Sequence, residues 1–554
     1  MNTQRYQIWP QMWLCFIFIF SGCFYGFMPE AWLDNIMQSY HHGLTWRLAL
    51  AISSPIFLSG AIASVITYWL LYVPGGREPV THIAGSVRLK GRKAKSHAKR
   101  SLNKTIKNDA MGKGIHLHPC VQLPMRNELA NVLLFGQQGS GKSVILKPII
   151  QQIKKRGDKL FIYDRKNEFT PLFFDADTTL ISPTDIRGTA WEIGLDVTCE
   201  AEAELVAQRL INETQDPLWS NGARLILTGC MMILITQNKS WGWRDLAGII
   251  AWPHKELRAA LATSYPSATV FIEENSKTTQ SFFVTLISQL SWVRRLREYW
   301  PNSQQKGFSI RQWLSDESQP KTLIIAHDEH NETLSAPLCN ALFGLMTNHV
   351  LALADSDTRR ILFSVDELSS LPKTDSLEKW LRLGRAKGTR TLASVQSLSQ
   401  VRALYGQDMA ETILSLFGNI IALRMGASGE AASYAAKSFG EHQVERRLTT
   451  FNEQGQRSTQ CQYISEPLVR PDELINLKHS WRGVEGFLMV GSWDSIYKLR
   501  WSFPTLKSIA EPFIRATPLP PPLAKDAMSL STLGSKPVSK PKGRKVNRLR
   551  RHTS

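Results

Sequence analysis

The sequence predicts an α/β fold wound on a parallel sheet around a phosphate-binding loop, with a helical insertion and an apolar N-terminus. Three observations carry this. First, the stretch beginning at Asn131, "NVLLFGQQGSGKSVILK", contains G-x-x-x-x-G-K-S at Gly136–Ser143, with an apolar strand before it and a helical pattern after it. Second, short apolar runs recur between helical patterns: Val132–Phe135, Lys159–Tyr163, Thr322–Ala326, Ile361–Val365, Thr391–Val395, Asn419–Arg424 and Phe487–Val490. Such alternation predicts one doubly wound parallel sheet. Third, from about Val197 to Arg311 the pattern is mostly helical and holds Trp219, Trp241, Trp243, Trp252 and Trp292, which predicts an inserted all-α subdomain. Aromatic stripes of this kind are more often core than nucleic-acid stacking platforms.

At the N-terminus, Gln11–Met28 and Leu48–Val73 are charge-free and each approaches the roughly 20 residues that cross a bilayer. Interfacial aromatics flank them: Trp9 and Trp13 at the first, Tyr68, Trp69 and Tyr72 at the second. The first run lacks a small-x-small cleavage site and a second run follows, so two membrane helices are expected rather than a signal peptide. The connector Pro29–Trp46 has Glu30 and Asp34 but no Lys or Arg. The segment beyond the second run is strongly basic, which predicts a cytoplasmic location for everything after residue 77 and contact with anionic head groups.

The 554 residues carry a formal charge of +19. Arg77–Lys113 has eleven Lys and Arg against Glu78 and Asp109, and Lys536–Ser554 has eight and no acid. These two segments account for +17, so the body between them is nearly neutral. The sign points to nucleic acid or an anionic membrane and says nothing about fold. The tail from Ala516, "ATPLPPPLAK" and then Ser, Lys and Arg rich, is disordered by composition. A phosphate-binding arm on DNA is slightly favoured over a solubilising or lipid-touching tail, without sequence-specific reading. Seven cysteines are scattered with no C-x-x-C pair, which predicts reduced, mostly buried thiols and no structural zinc.

The chemistry concentrates in two motifs. In the phosphate loop, Gly136, Gly139, Ser140 and Gly141 let backbone N–H groups close on phosphates, Lys142 reaches the β and γ oxygens, and Ser143 ligates Mg²⁺. The partner is "RRILFSVDELSSLP", where a buried run ends in Asp366-Glu367. Asp366 is placed to hold the Mg²⁺ shell and Glu367 to orient the attacking water, which is most of what phosphoryl transfer asks. Two carboxylates that simply favour the next helix N-terminus would look the same in isolation. Gln396, at the end of the Thr391–Val395 run, is a candidate γ-phosphate sensor, and a glutamine that pairs with loop backbone is nearly as good a reading.

In order along the chain, "LLFGQQGSGKS", "LFIYDRKNEFTPLFFD", "ISPTDIRGTAWEIG", "DPLWSNGARLI", "FSIRQWLSD", "FSVDELSSLPKTDSLEKWLRLGRAKGTRTLASVQSLSQVRALYG" and "FGNIIALRMG" resemble the TraD/TraG coupling proteins of type IV secretion and bacterial conjugation. The likeness covers about Leu133–Met425. It implies a RecA-like P-loop ATPase using ATP and Mg²⁺, a hexameric ring anchored in the bacterial inner membrane by two spans, and a membrane-distal all-α domain. The implied partners are DNA, a relaxase–DNA complex and components of the secretion channel. It implies catalytic roles for Lys142, Asp366, Glu367 and Gln396, and for Arg385 a reach into a neighbouring subunit's site. Two departures stand out. Ala130 occupies the position where some members carry a second functional arginine, and Arg126 is not aligned with it. Asn167 in "DRKNE" replaces a glycine, a substitution that a left-handed turn tolerates. The basic tail is opposite in charge to the acidic docking tail of some members.

The expected domains are residues 1–76 as membrane anchor (spans about 11–28 and 48–73), 77–125 as a basic juxtamembrane segment, 126–196 with 312–515 as the nucleotide domain, 197–311 as the all-α subdomain and 516–554 as tail. Within "EKWLRLGRAKGTR", the position of Arg385 between Asp366-Glu367 and Gln396 predicts a place near the ligand-binding edge. Gly384, inside a helical pattern, suggests close packing. Other readings keep the motor but change what it moves or where. One is a FtsK- or HerA-like translocase, which calls for four spans or none and a C-terminal winged helix; another is a coupling protein for protein effectors. A further one is a membrane adaptor that binds nucleotide and DNA without turnover.

Overall fold

The computed structural model describes residues 16–26, 32–41, 43, 53, 56–67, 81–108, 112–237, 240–300, 307–328, 331–427, 430–451 and 457–518. The chain divides into two units, Met1–Ile83 with Gln443–Ile464, and Ala84–His442 with Ser465–Ser554.

In the first unit, the described apolar helices are Phe16–Gly26 and Ile56–Thr67. Both fall short of a bilayer's length, and the remainder of the expected spans 11–28 and 48–73 lies outside the described residues, so two spans are not established. The connector contains a helix, Trp32–His41. The one described helix that is both long and apolar enough to cross a membrane is Pro217–Thr236, and most of it is buried inside the second unit.

The second unit is built on a mixed sheet. In chain order its main strands are β1 Val87–Lys90, β2 Val132–Phe135, β3 Lys159–Asp164, β4 Thr178–Ile181, β5 Thr322–Ala326, β6 Ile361–Val365, β7 Thr389–Val395, β8 Asn419–Ala422, β9 Gly483–Met489 and β10 Ser495–Trp501. Across the sheet they run β1-β10-β9-β8-β2-β7-β6-β3-β5-β4. From β8 to β4 all neighbours are parallel. Those strands are apolar and buried on both faces, as parallel strands covered by helices must be. Alternate side chains serve two cores. Leu133 and Phe135 join the core of the helical side, while Val132 and Leu134 join the core formed by Ile145, Leu146, Ile149, Ile150 and Ile153 of the helix Lys142–Arg156.

Three expectations about the sheet are corrected. The run Phe487–Val490 belongs to β9, which pairs antiparallel with β8, Ile420 opposite Met489. It then turns back through Ser492, whose φ is 69°, into β10. A close-coupled pair of strands of this kind can only be antiparallel. Strands β4, β10 and β1 were not expected, and β1 lies upstream of residue 126, so the sheet does not begin there. It pairs parallel with β10 inside the segment expected to be merely basic. The helix Gly91–Asn108 follows, and it buries Ala94, Ala98 and Leu102 at four-residue spacing. Two alanines and one leucine make a faint apolar stripe among so many charges.

Between residues 200 and 299 the described segments form the helices Glu200–Leu210, Pro217–Thr236, Trp243–Ile250, His254–Ser264 and Lys277–Tyr299. Trp241, Trp243 and Trp292 are buried, and the rings of Trp191, Trp243 and Trp292 follow one another at 5.5 and 5.6 Å. The tryptophans are therefore core. Asp196, wholly buried, accepts from Trp191 Nε1, Ser309 Oγ and the backbone N–H groups of Ile310 and Arg311, tying together the two ends of the helical stretch. Of the six described cysteines, only Cys230 and Cys339 are buried, fewer than expected.

At the amino edge of the parallel strands lies an ionic cluster. Glu128 accepts from both terminal nitrogens of Arg156 at 2.8 Å and forms an ion pair with Arg390, whose Nε lies 3.1 Å away. Asp158 pairs with Arg156 and Arg360. Arg390 is 1% and Glu128 2% exposed, so each depends on the other's charge. Arg390 is thus a buried structural group. Glu128→Ala, which strands the Arg390 charge and leaves the Ile115 N–H without its acceptor, is expected to destabilise this unit by about 3–5 kcal/mol. A thermal unfolding midpoint unchanged from wild type would contradict it.

Candidate functional site

The strand β2 leads straight into the phosphate loop, and backbone bonds root that loop on both neighbours. Gly136 N–H donates to Val395 O at 3.2 Å, and Gln137 N–H to Arg424 O at 3.0 Å. Gly139 and Gly141 adopt φ of 71° and 97°, the left-handed region that favours glycine. At Gly141 a Cβ would also meet Val484 at 2.6 Å, and at Gly136 it would meet Ser140 Oγ at 2.4 Å. The helix Lys142–Arg156 starts at Gly141 with no side-chain cap, so its first N–H groups stay available to an anion. Lys142 Nζ folds over the loop to Gly136 O at 2.9 Å. Burial lowers its pKa, while Glu367 and Asp366 act in the opposite sense.

Asp366 and Glu367 follow the carboxyl end of β6, one strand beyond β7 from the loop. Burial raises the pKa of both carboxyls, and the Lys142 ammonium partly offsets it. Glu367 Oε1 accepts from Ser369 Oγ at 2.9 Å and from the Gln396 backbone N–H at 3.3 Å. Asp366 Oδ1, Glu367 Oε2 and Ser140 Oγ are buried without a hydrogen-bond partner among the described residues. Buried polar atoms in native proteins are rarely left so. A cavity of about 510 Å³ opens here, lined by Glu168, Asp366, Glu367, Ser369, Gln396 and Gln400 among others. No group of three or more His, Cys, Asp or Glu fit for a metal occurs among the described residues. A cation here would therefore draw part of its shell from phosphate oxygens, as Mg²⁺ at nucleotide sites does. The donor set of Ser143 and Asp366 with an unpaired oxygen fits that arrangement.

The structure brings Gly136, Gly139, Ser140, Gly141, Lys142, Ser143, Asp366, Glu367 and Gln396 to one edge of the sheet. Arg385 is not with them. The helix Ser376–Leu383 carries the chain back, the turn Gly384–Lys387 holds Arg385, and β7 then starts at Thr389 on the opposite edge. One strand of seven residues, about 20 Å, separates Arg385 from Gln396. The expected nearness within one chain is thereby corrected, because proximity in sequence spans a reversal of direction. Arg385 is exposed and has no ion-pair partner among the described residues, while Lys387 pairs with Asp355 at 2.7 Å and Arg382 with Glu378. Gly384 is required by packing, since a Cβ would meet Thr389 Oγ1 at 2.3 Å. Ala130 is half-buried and packs against Gly418.

Sequence reasoning missed one residue of the site. Glu168 Oε2 accepts from Ser143 Oγ at 3.3 Å and lies 3.5 Å from Lys147 Nζ. The signal lies in "DRKNE", where this glutamate directly follows Asn167. Asn167 is left-handed, φ 54°, as the turn requires.

A family model, the type IV secretion-system coupling protein DNA-binding domain, matches residues 116–494. The coupling protein TraD of Escherichia coli (strain K12) is 24% identical over 389 residues, 69% of this chain and 52% of TraD, so the chain spans about half the length of that relative. Among solved structures, the unbound bacterial conjugative coupling protein TrwBdeltaN70 has a TM-score of 0.66 at 22% identity, over 80% of this chain and 98% of that one. The plasmid coupling protein TrwB in complex with ADP and Mg²⁺ has a TM-score of 0.64 at 22% identity, over 80% of this chain and 99% of that one. At these identities the likeness establishes the fold.

The position of Lys142 generates a prediction. Charge-assisted hydrogen bonds contribute about 1.5–3 kcal/mol, so Lys142→Ala is expected to weaken binding of a fluorescent ATP analogue tenfold or more with an unchanged unfolding midpoint. Equal affinity in the variant would remove Lys142 from the site.

Proposed function

We propose that this chain, which belongs to the type IV secretion-system coupling protein family, is a membrane-anchored ATPase that moves a relaxase-bound DNA strand into a type IV secretion channel during conjugation. The observation that carries this is the convergence, on one sheet edge, of a rooted phosphate loop with two half-buried carboxylates, each with one buried oxygen that has no hydrogen-bond partner among the described residues. Solved TrwB complexes hold ADP with Mg²⁺ and a non-hydrolysable ATP analogue, in support of the same ligands here. Bound Mg²⁺ would neutralise phosphate charge. Of the chain's own residues, Lys142 holds the β and γ oxygens, and Ser143 and Asp366 hold the cation. Glu367, fixed by Ser369 and Gln396, orients the attacking water, and Gln396 senses the γ-phosphate. Arg385 acts on the site of the next subunit in a homohexameric ring. Its exposure and its place on the far edge of its own sheet support a role in trans.

Inner-membrane anchoring is supported by the short N-terminal helices, which leave Phe18, Tyr25, Phe57 and Val65 well exposed. DNA contact is supported by the helix Gly91–Asn108. Its apolar stripe is taken up by the sheet side, and Arg92, Lys93, Lys95, Lys99, Arg100, Lys104 and Lys107 are exposed with no carboxylate partner among the described residues. The tail beyond residue 518, a second basic candidate, lies outside the described residues.

Two outcomes are expected. Glu367→Gln retains ATP binding and loses DNA-stimulated hydrolysis by about 100-fold or more. Hydrolysis at the wild-type rate would remove Glu367 from the catalytic step, and undiminished DNA transfer by a variant that no longer hydrolyses ATP would favour a non-hydrolysing adaptor. Replacing Lys95, Lys99 and Arg100 together by alanine weakens DNA binding and flattens the slope of log affinity against log salt, by about 0.9 for each phosphate no longer neutralised. An unchanged slope would assign that helix to lipid or solvent.

A further inference from the structure

Resting on the nucleotide-site reading above, we propose that Glu168 is a positioning residue for the cation, acting through Ser143. A serine hydroxyl has one proton and two lone pairs. If Ser143 is to ligate a cation through oxygen, its proton needs an acceptor that leaves the lone pairs free. Glu168 Oε2, at 3.3 Å, is that acceptor. The same oxygen faces Lys147 at 3.5 Å, and Glu168 lines the cavity together with Asp366 and Glu367. The arrangement places a further negative charge beside the ligating hydroxyl, where an outer-shell carboxylate orients and strengthens a metal ligand.

The backbone presenting Glu168 is built for the purpose. Asp164, 1% exposed at the end of β3, accepts from the backbone N–H groups of Glu168, Phe169 and Thr170 at 2.9, 3.0 and 2.7 Å, and from Thr170 Oγ1 at 2.8 Å. Asn167 takes the left-handed turn just before, and its Nδ2 donates to His327 O at 3.3 Å. Four bonds to a single buried carboxylate fix where the Glu168 side chain leaves the chain. A plain surface ion pair with Lys147 would need none of this and would be worth at most about 1 kcal/mol. That simpler role makes a different prediction, because it does not involve Mg²⁺.

The test is equilibrium binding of a fluorescent ATP analogue to the full-length chain in detergent, titrated with Mg²⁺ and repeated in EDTA. The wild type is expected to bind more tightly as Mg²⁺ rises. In Glu168→Ala the Mg²⁺ midpoint is expected to rise about 10- to 100-fold, with the affinity in EDTA within about twofold of wild type. Glu168→Gln, which keeps size and an acceptor but not the charge, should shift the midpoint in the same direction by less, and it serves if the alanine variant folds poorly. An unchanged midpoint in both variants, or equal losses with and without Mg²⁺, would overturn the proposal and leave the nucleotide site standing. Absence of any Mg²⁺-dependent binding in the wild type would instead overturn the site reading and the proposal with it.

Discussion

Everything in the site depends on the placement of one four-residue strand, β2, between β7 and β8. Val132–Phe135 pairs in parallel with Leu392–Val395 on one side and with Asn419–Ala422 on the other. At its start, Asn131 Oδ1 accepts from the Thr391 N–H, and Asn419 Nδ2 donates to Asn127 O and Asn131 O. At its end, Gly136 and Gln137 bond to the segments leaving β7 and β8. The strand is therefore held at both ends by groups that are costly to leave unpaired in a buried setting. A slip of one residue would turn Leu133 and Phe135 into the wrong core and carry the loop away from Asp366. The ionic cluster of Glu128, Arg156, Asp158 and Arg390 holds the amino edge, and the candidate nucleotide site occupies the carboxyl edge.

Much of this was legible in the sequence, for physical reasons that differ from element to element. Val132–Phe135, Thr322–Ala326 and Ile361–Val365 were read to the residue, because strands buried on both faces must be continuously apolar and are punctuated sharply by polar ends. The phosphate loop was legible because its glycines answer a backbone requirement that few other residues meet. Strands such as β1, an edge strand reading "VRLK", and β10, reading "SIYKLRW", carry charge on their exposed positions and so lose the apolar run that marks a strand. The helix Gly91–Asn108 was hidden by its own lysines. Arg385 was misplaced because a linear reading does not count reversals of chain direction. The burial of Arg390 is not legible locally, because its partner Glu128 lies 262 residues away in sequence.

Correcting Arg385 sharpens the functional account. Within one chain Lys142 folds over the phosphate loop, Lys147 is engaged with Glu168, and Arg165 and Lys166 line the cavity. An exposed arginine at the far edge of the sheet has no route to that site in its own chain, but in a ring the far edge of one subunit can face the ligand edge of the next. In the proposed reading, turnover would then require assembly of such a ring. A membrane anchor would raise the local concentration of subunits and favour that assembly.

The most direct test of this account is to mix two inactive full-length variants, Lys142→Ala and Arg385→Ala, and measure DNA-stimulated ATP hydrolysis as the ratio is varied. Each variant lacks one half of a shared site, so mixed rings contain some interfaces with an intact Lys142 on one subunit and an intact Arg385 on its neighbour. The account predicts that each variant alone is nearly inactive and that activity reappears in mixtures, greatest near equal proportions. Activity near wild type for Arg385→Ala alone, or no recovery at any ratio, would contradict it.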